Sequence, residues 1–149
     1  MKGSIFDAAD RRSLRRRVSS LRPESERKWG TMGVHQAVAH MADQIRMGLG
    51  LIEMTAPKGL FRFAPARYLI IHVLPWPEGK AQGPPEAFTT RPAEFQVDLE
   101  QLHELIDAIG GRNPAEDWPV HSIFGPMTGH DWGVLTYRHL DHHLRQFGC

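Results

Sequence analysis

The sequence predicts an all-α fold. Three observations carry that expectation. Apolar residues recur at spacings of three and four in several long segments. Capping residues, glycines and prolines fall between those segments, where helices would start and stop. No stretch alternates apolar and polar residues convincingly enough to read as a strand. The expected architecture is a small bundle of helices joined by loops.

The first helix is expected over residues 7–20. Asp7 can cap it, and Leu14, Val18 and Leu21 share one face. Arg11, Arg12, Arg15, Arg16 and Arg17 crowd the remainder and read as a solvated face, with Asp7, Asp10, Glu24 and Glu26 diluting their field. Pro23 follows the end.

A second helix is expected from about Gly33 to about Met54, capped by Thr31 or Gly33, with Trp29 as a possible apolar staple. Val34, Ala37, Val38, Met41 and Ile45 form an apolar stripe. Gln36, His40, Asp43 and Met47 form a second stripe beside it.

From Thr55 to Pro92 the composition changes, since seven of the eleven prolines fall there. Regular helix is not expected across most of it, except over Leu60 to Val73, where Pro65 disturbs the first turns. Residues 75–92 form a long loop, either a cover over a site or a connector.

A third long helix is expected from about Pro92 to Ile109, on the periodicity of Phe95, Leu99, Leu102, Leu105, Ile106 and Ile109, with Gly110 and Gly111 as its stop. The last helix starts near Gly129, where Thr128 and Asp131 have capping-box spacing, and Gly148 closes it.

That last helix carries three of the nine histidines within five positions, His139, His142 and His143. His139 and His143 are one turn apart and project from one stripe. Two neutral imidazoles so placed can share a transition-metal ion. His40 on the second helix is the candidate third ligand, and Asp43 one turn on can orient its ring or add a ligand. The plain alternative is a set of surface histidines satisfied by water and Asp141. His142 lies about 100° around the helix from His143 and is a candidate for contact with substrate. Gln36 and Asp43 are candidate polar neighbours of the metal and Gln146 is a weaker one; each has the plain alternative of an ordinary surface residue, which is the preferred reading for Gln146.

The other histidines have plainer readings. His35 and His103 are expected at or near the surface, and His72 in the core with a partner. His121 and His130 are expected near a loop. Trp29, Trp76, Trp118 and Trp132 are expected as anchors of core and loop. Cys149 reads as an unreactive terminal thiol.

Composition bounds the function. The 149 residues suit one domain spanning 1–149, and 18 Lys and Arg against 17 Asp and Glu leave a net charge of +1. Bulk attraction to nucleic acid or to membrane is therefore not expected. The start of the chain lacks an apolar signal-peptide core and the single cysteine cannot pair internally, so a cytoplasmic protein is expected.

The segments WGTMGVHQAVAHMADQI and FGPMTGHDWGVLTYRHLDHHLRQFG resemble the DinB superfamily, most closely a branch of unknown function ending in a similar HLDHHLRQF run. The resemblance extends from SIFD near the start to Phe147. It implies an up-down four-helix bundle, a homodimer, and a divalent metal on His40, His139 and His143. Zinc or nickel is expected there, with iron or manganese as alternatives. The resemblance also implies a small-molecule substrate and an S-transferase reaction with a low-molecular-weight thiol. A metal-dependent hydrolase and a non-catalytic dimeric bundle are the alternatives. Three protein ligands leave an open position, as catalytic sites require.

Overall fold

The computed structural model describes residues 3–80 and 82–149. Residues 1 and 2 of the amino-terminal stretch and residue 81 of the proline-rich loop lie outside it. Among the described residues the chain is helical, with α1 (Ala8–Val18), α2 (Val34–Gly48), α3 (Ala64–Tyr68), α4 (Phe95–Gly110) and α5 (Gly129–Gln146). There is no strand among them, only an isolated bridge between His121 and Gly125. Among the described residues no helix is long and apolar enough to cross a membrane.

Helix α1 starts as expected, with the Asp7 carboxylate accepting from the backbone N–H groups of Ala9 and Asp10 at 2.8 and 2.9 Å. Its apolar face, Leu14 and Val18, is fully buried. Its arginines are not all a solvated face. Arg15 pairs with Asp107 of α4 and Arg17 with Asp141 of α5, while Arg11 donates to the Gly110 carbonyl. Only Arg12 and Arg16 of the five are exposed. α1 packs on α4 and α5, and α2 packs on the same two helices.

Helix α2 ends at Gly48, well before Met54. The reason is Gly50, whose φ of +73° no ordinary side chain takes cheaply. The Gly50 N–H donates to the Met47 carbonyl and the Leu51 N–H to the Arg46 carbonyl, the paired bonds of a Schellman stop. Gly48 itself lets the helix approach its neighbours, because a Cβ there would come within 3.0 Å of Ile109 and 3.1 Å of Trp132.

The expected third long helix begins at Phe95 rather than Pro92. The Ala93 N–H donates to Asp98 at 2.8 Å, so a carboxylate from the first turn satisfies the entry. In α5 the capping box is formed: Asp131 accepts from the Thr128 N–H at 3.0 Å and Thr128 Oγ1 accepts from the Asp131 N–H at 3.1 Å.

Between α2 and α4 the chain makes short helical pieces. A 3₁₀ turn (Leu60–Arg62) leads into α3, where Pro65 sits in the first turn and its missing N–H costs nothing. α3 runs into a π-helical turn over Leu69–Val73. Arg138 of α5 caps that turn, donating to the carbonyls of Ile70, Ile71 and Leu74 at 2.9, 2.7 and 2.6 Å. His72 is buried, as a core histidine with a partner should be, and bonds Asp131 at 2.7 Å. A second 3₁₀ turn, Pro85–Phe88, packs against α2.

Candidate metal centre

His40 projects from α2, and His139 and His143 project one turn apart from α5. The packing of α2 on α5 brings the three together, and one potential ligand atom from each lies within 4.8 Å of the others. His40 Nε2 is 2.9 Å from His139 Nε2. The three rings meet edge to face, with centroids 4.6 to 4.8 Å apart.

Two of the rings have a fixed tautomer. His40 Nδ1 is 2.6 Å from the Ala87 carbonyl, which can only accept, so the proton is on Nδ1. His143 Nδ1 is 2.8 Å from Gln146 Oε1, and Gln146 Nε2 donates in turn to the Trp29 carbonyl at 3.0 Å. That last bond orients the Gln146 amide, so its oxygen accepts from His143 Nδ1–H. In both rings Nε2 carries the lone pair rather than the proton, the form in which imidazole binds a metal.

Burial keeps the cluster neutral. His143 is pushed down to about 3, first by burial and then by the neighbouring His40. His139 is pushed well below its ordinary range by burial and by the four other histidines around it, His40, His143, His142 and His121. His40 is lowered by burial too, against the Ala87 hydrogen bond, which raises it. Neutral rings in a desolvated cluster suit a divalent cation and resist a proton. His139 Nδ1 is buried without a hydrogen-bond partner. The donor set therefore fits a metal: three imidazoles, no thiolate, and at least one further coordination position for another ligand.

The 3₁₀ turn Pro85–Phe88 covers His40. Phe88 stacks on the His40 ring, centroids 4.2 Å apart and planes 12° from parallel. The turn is pinned from both sides. Glu86 accepts from the Thr55 N–H and Thr55 Oγ1 at 2.9 and 2.8 Å, and from Ser122 Oγ at 3.4 Å. Burial pushes the Glu86 carboxyl up, but these hydrogen bonds outweigh it and hold it below its ordinary value. Asp43, fully buried, accepts from the Thr90 N–H and Thr90 Oγ1, both at 2.6 Å, and from Arg46 at 2.8 Å. The proline-rich loop thus contributes a cover.

The remaining candidates are dispersed. Asp43 gives its carboxylate to Thr90 and Arg46, and the Ala87 carbonyl orients the His40 ring. Gln36 is exposed and its side chain accepts from the Gly33 N–H at 3.4 Å, at the start of its own helix. His142 is buried between the indoles of Trp29 and Trp76, with Nδ1 unpartnered. It lines a cavity of about 570 Å³ with Trp76, Arg138, Asp141 and Arg145. His121 is buried, its Nδ1 accepting from the N–H groups of Ile123 and Phe124. His130 stacks on His72. Gln146 is not a surface residue: it is buried at 4% exposure and touches a candidate ligand. Its position three residues after His143 was the available signal, because that spacing shares a helix face. The Ala87 carbonyl had none, being backbone.

The fold and the site together define an all-helical protein with a three-histidine cluster able to hold a metal ion. Compared with models of known protein families, with curated proteins and with solved structures, the chain finds no match.

Proposed function

We propose that the chain is a DinB-like, up-down four-helix bundle that binds a divalent metal and acts as a transferase using a low-molecular-weight thiol. His40, His139 and His143 would hold the metal. The observation that carries this reading is the convergence of three neutral imidazoles, two of them oriented through Nδ1 by oxygen acceptors. The pairwise packing of α1 and α2 on α4 and α5 supports the bundle. The transferase chemistry rests on the family resemblance of the two histidine-bearing segments.

When bound, a divalent ion supplies Lewis acidity that favours the deprotonated form of a small thiol. The chain's own part is to hold and shield. Ala87 and Gln146 fix which nitrogen of His40 and of His143 faces inward. Phe88 excludes water from one side of His40. The cavity beside His142 offers room for a small substrate between aromatic and charged walls.

Metal analysis of the purified protein tests the site, with His40→Ala and His139→Ala as controls. One divalent ion per chain in the wild type and none in either variant is the expected result. Equal metal content in all three would overturn the site. Thiol consumption measured across a panel of electrophiles tests the reaction. Consumption that persists in His143→Ala would overturn the transferase reading while leaving metal binding standing.

A further inference from the structure

The segment between α2 and the cover turn has an outer face that nothing among the described residues covers. Of the eleven exposed large hydrophobic residues among the described residues, seven fall between residues 60 and 74 of this segment: Leu60, Phe61, Phe63, Tyr68, Leu69, Val73 and Leu74. Its helical part is two-sided. Pro65, Tyr68, Leu69 and Val73, at helical spacing, are exposed, while Ile71 and His72 are buried against the bundle. The inner side is anchored by Arg138, which holds three of its carbonyls, and by the bond from His72 to Asp131. A rigidly mounted apolar face of this kind marks a contact surface.

Charge selects the partner. From Met54 to Pro77 there is no Asp or Glu, while Lys58, Arg62 and Arg67 fall in the same stretch. The net charge of +1 for the whole chain averages this local excess away. Lys58 and Arg62 are exposed, and the Arg62 guanidinium lies over the Phe63 ring at 4.8 Å. Arg67 is partly engaged, donating to the Arg62 and Phe124 carbonyls. The acidic group that α5 brings to this segment, Asp131, is already bonded to His72. A second copy docked through the same face about a two-fold axis would bring the cations of both copies into one interface with no acid of this stretch to pair them. Aromatic and aliphatic side chains flanked by cations, with no acid among them, match the boundary between headgroups and acyl chains of an anionic bilayer.

We propose that residues 58–74 form a peripheral docking surface for anionic lipid membranes, lying on the bilayer without crossing it. The apolar side chains would enter the acyl boundary, and Lys58 and Arg62 would contact the lipid phosphates and carboxylates.

Vesicle co-sedimentation of the full chain tests this. Mixed phosphatidylserine–phosphatidylcholine vesicles are expected to pull the protein down, and pure phosphatidylcholine vesicles to retain much less. Added salt should weaken the binding. The double variant Lys58→Gln/Arg62→Gln should lose about ten-fold or more in partitioning. Phe61→Ser/Phe63→Ser should lose at least as much, with the helical circular dichroism of both variants unchanged. No pull-down of the wild type by anionic vesicles overturns the proposal, as does equal binding by both variants. Sedimentation equilibrium provides a second arm. A wild-type dimer that Phe61→Ser/Phe63→Ser renders monomeric would assign the face to a second copy and overturn the lipid reading.

Discussion

Gln146 accepts a hydrogen bond from His143 Nδ1 at 2.8 Å and ties that histidine to the Trp29 carbonyl through its own amide nitrogen. The relationship fixes both the tautomer and the rotamer of a candidate ligand. Replacing Gln146 with Leu removes the acceptor and leaves the ring free to turn or to change tautomer. The Gln146→Leu variant is expected to bind zinc about 10- to 100-fold more weakly than the wild type. Competition titration against a chromophoric chelator measures it, and unchanged affinity would show that the ring is held by packing alone.

A metal that binds only the folded protein must raise its stability. Zinc at about 100 times its dissociation constant should stabilise the wild type by roughly 3 kcal/mol, seen as a higher Tm. In His139→Ala the same zinc concentration should leave the Tm where it is. An equal rise in the variant would place the bound metal elsewhere.

Glu86 is bonded by Thr55 and Ser122 and carries the residue whose carbonyl orients His40. Glu86→Leu leaves the buried Ser122 hydroxyl and the Thr55 donors without their acceptor and releases the cover turn. A loss of about 1–3 kcal/mol in denaturant unfolding is expected, together with weaker zinc binding. Glu86→Gln keeps one acceptor oxygen and should recover part of both. If Glu86→Leu loses stability while its zinc affinity is unchanged, the turn does not govern the orientation of His40.

His121 gives a pH dependence with a definite sign. Burial pushes it down to about 4 from its ordinary 6.5. The folded protein keeps the ring neutral where the unfolded chain takes up a proton. Stability from this group is complete above pH 6.5 and is lost as the pH falls toward 4. Its share of the loss is at most roughly 3 kcal/mol. His121→Asn keeps an acceptor for the Ile123 and Phe124 N–H groups without titrating. Metal-free His121→Asn should therefore show a flatter fall in unfolding free energy with acid than the wild type. Parallel curves would remove His121 as a source of the slope.

The helices were legible because their signals are local. The capping pair Thr128 and Asp131 and the spacing of the α4 leucines and isoleucines report their own surroundings. The end of α2 was misplaced because Leu51, Ile52 and Met54 continue an apolar run, while the stop depends on one glycine with positive φ. The three histidines were legible as types and spacings, since His139 and His143 share a stripe and His40 stands out on a second amphipathic helix. What holds them in place was not. Ala87 acts through its backbone, which carries no residue signature. Asp43 lies on the His40 stripe, yet its carboxylate is taken by Thr90, a pairing across the fold that spacing does not reveal. Gln146 was misread because a polar residue near a helix end resembles a solvated one unless its neighbours are known.

The contact between His40 and His139 spans 99 positions of chain, and the Ala87 carbonyl comes from a third region between them. Closing loops of that size costs entropy before any local gain repays it. A chain interrupted before α5 would own one of the three imidazoles and the cover, but no partner nitrogens. Any ion held by all three rings would therefore be held only by molecules in which α5 has been made and packed on α2, which makes a metal-sensitive signal at this spot a report of that packing.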